Sequence, residues 1–186
     1  MRKVLFIFGN LSDADVEWLA ANGERKTFRK GAVLVQQGKQ IEEVYILLEG
    51  QLSVLAGSSQ KDLVINTLQQ GEIIGELSFL DSRPPSASVF AATDSVVLAI
   101  PCSKLRAKLA RDVVFAAKFY RALGVFLADR LRNTTQWLGY AKSDSLRADE
   151  SAAGEIDPEL LNSVAIAAKR FEFLVDRLKI TRTSEN

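Results

Sequence analysis

The chain has no histidine and one cysteine among its 186 residues. Without histidine, neither a Ser-His-Asp nor a Cys-His nucleophile can be assembled, and no metal can be held by imidazole. The lone Cys102 permits no internal disulfide and fits a reducing compartment, so a cytoplasmic location is expected. It reads as a partly buried small residue, not a reactive thiol. Charge of one sign is also missing. The chain carries 24 Lys and Arg against 23 Asp and Glu, a net charge of +1. That balance gives no electrostatic case for nucleic acid or a membrane surface. No stretch approaches the ~20 apolar residues of a membrane span. The opening MRKVLFIFGN has two cations and a short apolar run but no cleavage site, and it does not read as a signal peptide. Nor does the sequence show paired carboxylates, a nucleophile–base set or a metal cluster, so no enzyme is expected.

What is present is a chain that is 47% apolar, enough for one good core with helical appendages. Ser12 followed by Asp13 and Asp15 reads as the capped start of a short helix, with Val16 and Leu19 on its apolar face. From Thr27 to Pro101 the pattern becomes short apolar strands separated by glycine turns at Gly31, Gly38, Gly50, Gly57 and Gly71. Strands so evenly spaced indicate an antiparallel barrel or jelly roll. Pro101-Cys102 opens a helical half, and Asp112 is placed to cap a long helix from about Val113. That helix carries two seams, one through Tyr120, Gly124, Leu127, Leu131, Thr134 and Leu138. The other runs through Phe119, Leu123, Phe126, Arg130, Asn133 and Trp137. Both faces want cover, one from the roll and one from a partner helix.

Lys142 to Glu155 reads as a linker, and Asp157-Pro158 as a helix start. Leu161, Val164, Ala168, Phe171, Val175 and Leu178 then form an apolar seam, expected to pack on the long helix or on a symmetry mate. The fold class is therefore α+β: an antiparallel, jelly-roll-like β-roll flanked by an N-terminal helix, a long helix and one further amphipathic helix. The divisions are 1–112 for the roll domain, 113–141 for the long helix, 142–157 for the linker and 158–180 for the last helix.

One stretch organises the rest: GEIIGELSFLDSRPPSASVFA, Gly71 to Ala91. Ile73 and Ile74 belong to a strand, Gly75-Glu76 to a bend, and Leu77 to Leu80 to a single helical turn. A second strand is expected from Ser86 to Ala91. Gly75 lets the backbone approach a guest, and Glu76 can accept from two hydroxyls. The first N–H groups of the short helix suit an anion. A vicinal diol beside a phosphate fits this pattern.

Gly75-Glu76-Leu77, a turn, and then Ser86-Ala87-Ser88-Val89 resemble the phosphate-binding cassette of cyclic nucleotide-binding domains. That family includes the catabolite activator protein and the regulatory subunit of protein kinase A. Phe28-Arg29-Lys30-Gly31, Gln37-Gly38 and Tyr45 to Leu52 resemble its β-roll turns. The resemblance implies cAMP or cGMP as ligand, with no further cofactor. It implies that Glu76 holds the ribose hydroxyl and that amides around Gly75, Leu77 and Ser78 hold the phosphate. Ser86 and Ala87 supply the small residues beside it. The family's phosphate arginine falls on Pro85, and losing that charge-assisted partner costs on the order of 2–5 kcal/mol. Arg83 could substitute only if the turn is re-routed. Ala128 to Thr135 resembles the family's long helix, a dimer interface that presents a hydroxyl pair to the base, here Thr134 and Thr135.

The family's transcription factors add a DNA-binding unit of about 70 residues, whereas about 45 follow this helix, so no nucleic acid is expected. Two readings stay open. One is a stand-alone sensor that dimerises through its long helix and moves its helices when a ligand binds. The other is a scaffold that has lost the ligand, or changed it, and works by dimerising or by engaging an effector protein.

Overall fold

A computed structural model of the chain describes residues 7–56, 63–140 and 158–180. The elements, in order, begin with helix α1 (Asp13–Asn22). Strands β1 (Glu24–Phe28), β2 (Val33–Val35), β3 (Glu43–Glu49), β4 (Leu52–Ala56), β5 (Leu63–Leu68) and β6 (Ile73–Ile74) follow. Then come α2 (Glu76–Asp81), β7 (Ser88–Ala91), β8 (Ser95–Pro101), α3 (Cys102–Arg111), α4 (Val113–Tyr140) and α5 (Pro158–Ile180). The expected α+β roll is what forms. Two four-stranded sheets run in the orders β1-β8-β3-β6 and β2-β7-β4-β5, and their pairings are antiparallel.

The first sheet is covered on both faces. In β3 and β8, Val44, Ile46, Leu48, Val96, Leu98 and Ile100 join the helical core. Leu47 and Val97 instead face the interior of the roll, with Val35, Leu52, Leu68, Ile74 and Val89. A strand buried on both sides has no polar face to alternate, which is why SVVLAIP reads as one apolar run. The second sheet is covered only inside, and Val64 and Ile65 on its edge strand β5 face solvent. Strand β7 starts at Ser88, so the expected strand from Ser86 is two residues too long, and Ser86 lies in the bend before it.

The helices start where the sequence says. Ser12 caps α1 through a reciprocal box: its N–H donates to Asp15 Oδ2 at 2.7 Å, and its Oγ accepts from the Asp15 N–H. Burial opposes ionisation of Asp15, but hydrogen bonds from Ser12 and the Lys118 ammonium at 3.1 Å hold its carboxyl below the ordinary range. That ion pair ties α1 to α4. Asp112 Oδ1 accepts from the Phe115 N–H at 2.9 Å and opens α4. Of the two seams on α4, Phe119, Leu123 and Phe126 are buried, whereas Tyr120 and Leu131 remain exposed.

Helix α5 packs in cis, and on α1 rather than along α4. Phe171 meets Phe8 edge-on at 5.4 Å. Arg170 reaches Asp13 at 2.6 Å and the Phe8 carbonyl at 3.1 Å. The buried line is Ala167, Leu174 and Leu178, with Ala168, Phe171 and Val175 half-buried beside it. The strict 3-4 spacing passed over Leu174, although a helix of 3.6 residues per turn buries a stripe wider than one seam. The 142–157 linker, the turn at Gly57 and the side chains of Leu161 and Val164 lie outside the described residues. Among the described residues, no helix is long and apolar enough to cross a membrane.

Docking of α5 can be read from two adjacent positions. Leu174 is 0% exposed and Phe173 45%, so Leu174→Ala should cost about 2–5 kcal/mol in urea unfolding, and Phe173→Ala well under half of that. Equal losses would mean that α5 is not seated through Leu174.

Candidate functional site

The turn that carries the site is fixed by glycine. Gly75 has φ +85°, and a Cβ there would sit 2.7 Å from Ile41 Cδ1. Only glycine meets both demands. Glu76 follows as the first residue of α2 and is 3% exposed. Its neighbour Glu72 is 0% exposed. Glu72 Oε1 accepts from the Gln69 N–H at 3.0 Å, which closes the turn before β6.

Helix α4 supplies the cation. Arg130 Nη1 donates to Glu76 Oε1 at 2.5 Å, and its Nη2 lies 3.7 Å from Glu72 Oε2. The guanidinium rests on the Phe126 ring, 4.7 Å from its centroid. Phe119, Phe126 and Arg130 share the buried face of α4, so the apolar seam sets the height at which the cation meets the cassette. The result is a buried cluster of two carboxylates around one guanidinium.

A second grip holds α2. Arg106 of α3 donates to the Phe79 carbonyl at 3.0 Å and lies 4.6 Å over the Phe79 ring. Phe79 also meets Phe119 edge-on at 6.3 Å. The six-residue α2 is thus held by both α3 and α4.

Ser82 turns at φ +61°, and the Arg83 N–H donates to Asp81 Oδ1 at 2.9 Å. The Arg83 side chain is 84% exposed and 3.8 Å from Asp81. Arg83 thus stands in solvent beside Asp81. Pro85 is half-buried, and its carbonyl accepts from the Gly38 N–H at 2.9 Å. Ser86 is exposed and Ala87 half-buried at the end of this loop. Of the expected amide donors, Ser78 is buried with Glu76, whereas the Leu77 side chain points to solvent.

Of the expected hydroxyl pair, only Thr135 is described. Thr135 donates within its own helix, to the carbonyls of Leu131 at 3.0 Å and Arg132 at 2.9 Å. The Thr134 side chain lies outside the described residues. Gly75, Glu76 and Ser78 share the start of α2, while Arg83 and Ser86 are exposed on the loop after it and Thr135 bonds within α4.

Sequence reasoning missed Arg130, Glu72 and Arg106 as site residues. For Arg130 a signal existed, since a charged residue on an otherwise apolar seam needs a buried partner. Other surface clefts, one lined by Leu48, Phe171 and Val175 and one by Glu43, Pro101 and Cys102, lie apart from this cluster. Among the described residues, no group of acidic or cysteine side chains is placed to hold a metal.

Glycine-turned strands around an apolar interior, with a carboxylate buried beside the turn, define a sensor-like β-roll. The family model of the cyclic nucleotide-binding domain matches residues 25–112, and the roll resembles that family. The cAMP-dependent protein kinase type II regulatory subunit of Drosophila melanogaster is 34% identical over 90 residues, 48% of this chain and 22% of that protein. The cAMP-activated global transcriptional regulator CRP of Salmonella typhimurium is 30% identical over 97 residues, 51% of this chain and 46% of that protein. Both are regulatory proteins, and this chain spans less than half the length of either match. The crystal structure of a cyclic nucleotide-binding domain from Methylobacillus flagellatus shares the fold, with a TM-score of 0.68 at 21% identity, covering 78% of this chain and 86% of that one.

The cluster makes stability depend on pH in a defined direction. Burial pushes the Glu76 carboxyl above its ordinary 4.5, Arg130 pulls it back, and Glu72 adds to the rise. A raised folded value means the folded state binds the proton more readily. Glu76 therefore favours folding most below pH 4.5, and this contribution is lost as pH rises through the folded value. Asp15, held low, acts in a lower window and with the opposite sign. Unfolding free energies measured upward from pH 4.5 should show a slope that Glu76→Gln flattens. Arg130→Ala should steepen it and cost about 3–5 kcal/mol near neutrality, because two buried carboxylates lose their cation. Wild-type slopes in both variants would remove the cluster from the account.

Proposed function

We propose that the chain is a ligand-sensing module in which Glu76 receives the hydroxyls of a ribose compound and Arg130 reports its arrival to α4. The observation that carries this reading is the Arg130–Glu76 contact. The carboxylate suited to a ribose is already held by the long helix, so a guest that engages Glu76 must share or displace that guanidinium. Displacement frees α4 at the level of Arg130, and Arg106 and Phe119 on Phe79 pass any shift of α2 to α3 and α4. The cassette is atypical, since Pro85 stands where the family's phosphate arginine would be, and weak affinity for cAMP and cGMP follows.

The exposed stripe of α4 that holds Tyr120 and Leu131 is proposed as a homodimer contact, these apolar side chains having no cover in the single chain. The module has neither a catalytic nor a nucleic-acid-binding role and works in the cytoplasm. A second reading keeps the fold as a scaffold that dimerises or binds an effector protein without a ligand. It is favoured by Pro85 and by the fact that Glu76 has a partner within the chain.

Calorimetric titration with a panel of ribose compounds, beginning with cAMP and cGMP, separates the two. Saturable binding that disappears in a folded Glu76→Ala variant, together with altered hydrogen exchange across residues 126–137, is the expected result. No binding by any member of the panel would favour the scaffold, and binding that survives Glu76→Ala would remove Glu76 from the site. For the dimer, sedimentation should show Leu131→Glu shifting the protein toward monomer, and an unchanged distribution would place the contact elsewhere.

A further inference from the structure

We propose that the chain also associates with a second copy of itself through the free edge of strand β5. The two strands pair antiparallel about a two-fold axis, so that the second sheet runs on across both molecules. The four sheet edges differ in how they are guarded. The first sheet ends in β1 and β6, the second in β2 and β5. An unpaired edge is a template for another strand, and proteins blunt it by keeping it short or by charging it. Strand β6 has two residues and β2 three. Strand β1, ERKTF, carries three charged side chains in five residues. Strand β5, LVINTL, is six residues long and has neither a charge nor a proline.

The side chains of β5 agree with this. Val64 and Ile65 are each 54% exposed, and Asn66 and Thr67 are exposed after them. The strand's one irregularity, at Ile65, lies in its register with the inner neighbour β4. Aliphatic, β-branched side chains stabilise a sheet through cross-strand neighbours, and on the outer side β5 has none. The Thr67 N–H donates to Asn66 Oδ1 at 2.9 Å, a local bond that a carbonyl of an incoming strand can replace.

Charge selects the partner. Across a two-fold axis a surface meets itself, so any charge it carries is brought near its own like. LVINTL has none, and neither do the other strands of that sheet, VLV, LSVLA and SVFA. A copy of β5 therefore gives Val64 and Ile65 aliphatic neighbours without repulsion. The α4 stripe is a separate surface, since the helices rest on the first sheet and β5 ends the second.

The test is sedimentation and backbone hydrogen exchange of the full chain, in wild type, Val64→Lys and Leu131→Glu, each checked for a cooperative thermal melt. In wild type, exchange across residues 63–68 should slow as concentration rises about a hundredfold through the association midpoint. Val64→Lys adds a like charge on each side of the axis and should weaken association at least about tenfold. In Leu131→Glu the concentration-dependent protection of 63–68 should persist. Exchange over 63–68 that is indifferent to concentration overturns the inference, as does association that Val64→Lys leaves unchanged. If Leu131→Glu abolishes all association and that protection with it, the contact belongs to α4 alone. A wild type that stays monomeric throughout overturns both contacts.

Discussion

A single guanidinium between two buried carboxylates fixes how the parts of this protein sit together. Glu72 and Glu76 are placed by a turn and a bend of the roll, and neither can leave water without a cation nearby. Arg130 is that cation, and it arrives on α4, an element from outside the roll. The position of the long helix is thus set at one end by packing of Phe115 and Phe119 and at the other by charge. Packing alone would tolerate a small slide of α4, but a buried ion pair with a 2.5 Å hydrogen bond does not.

The same geometry separates a sheet buried on both faces from the helices that rest on it. The first sheet is clamped between the roll interior and the helices, with β8 buried along nearly its whole length. The helices rest on it through apolar contacts, which are non-directional, and are tied to the cassette at two places. One is Arg130 on Glu76, and the other is Phe79 between Arg106 and Phe119. These directional contacts join the cassette to α3 and α4 above the first sheet.

Much of the fold was legible because its signals are local. Ser12 and Asp15 mark one helix start and Asp112 another, glycine marks the strand turns, and the Phe119–Phe126 seam declares a buried helix face. The site was legible at Gly75 and Glu76, whose bend and carboxylate are set within two residues. It was not legible at Arg130, because the partner lies 54 residues away in sequence and only the closed tertiary structure brings them together. Helix α5 shows the same limit. Its apolar seam said that it must pack, while the choice of α1 depends on Arg170 finding Asp13 and the Phe8 carbonyl. The outward course of Arg83 follows from Asp81 two residues before it, a short-range competitor that spacing rules do not weigh.

The pairing order of the strands also has a consequence in time. Strand β1, the first to leave the ribosome, is hydrogen-bonded to β8, the last, and β2 waits in the same way for β7. Neither early strand has its partner until nearly all of the roll has been synthesised. Non-local closures of this kind are slow, and the waiting strands are exposed meanwhile. The opening segment of the roll, ERKTF, is correspondingly rich in charge and poor in aliphatic side chains. Such a strand can stay in water without seeking other company until β8 emerges to pair with it.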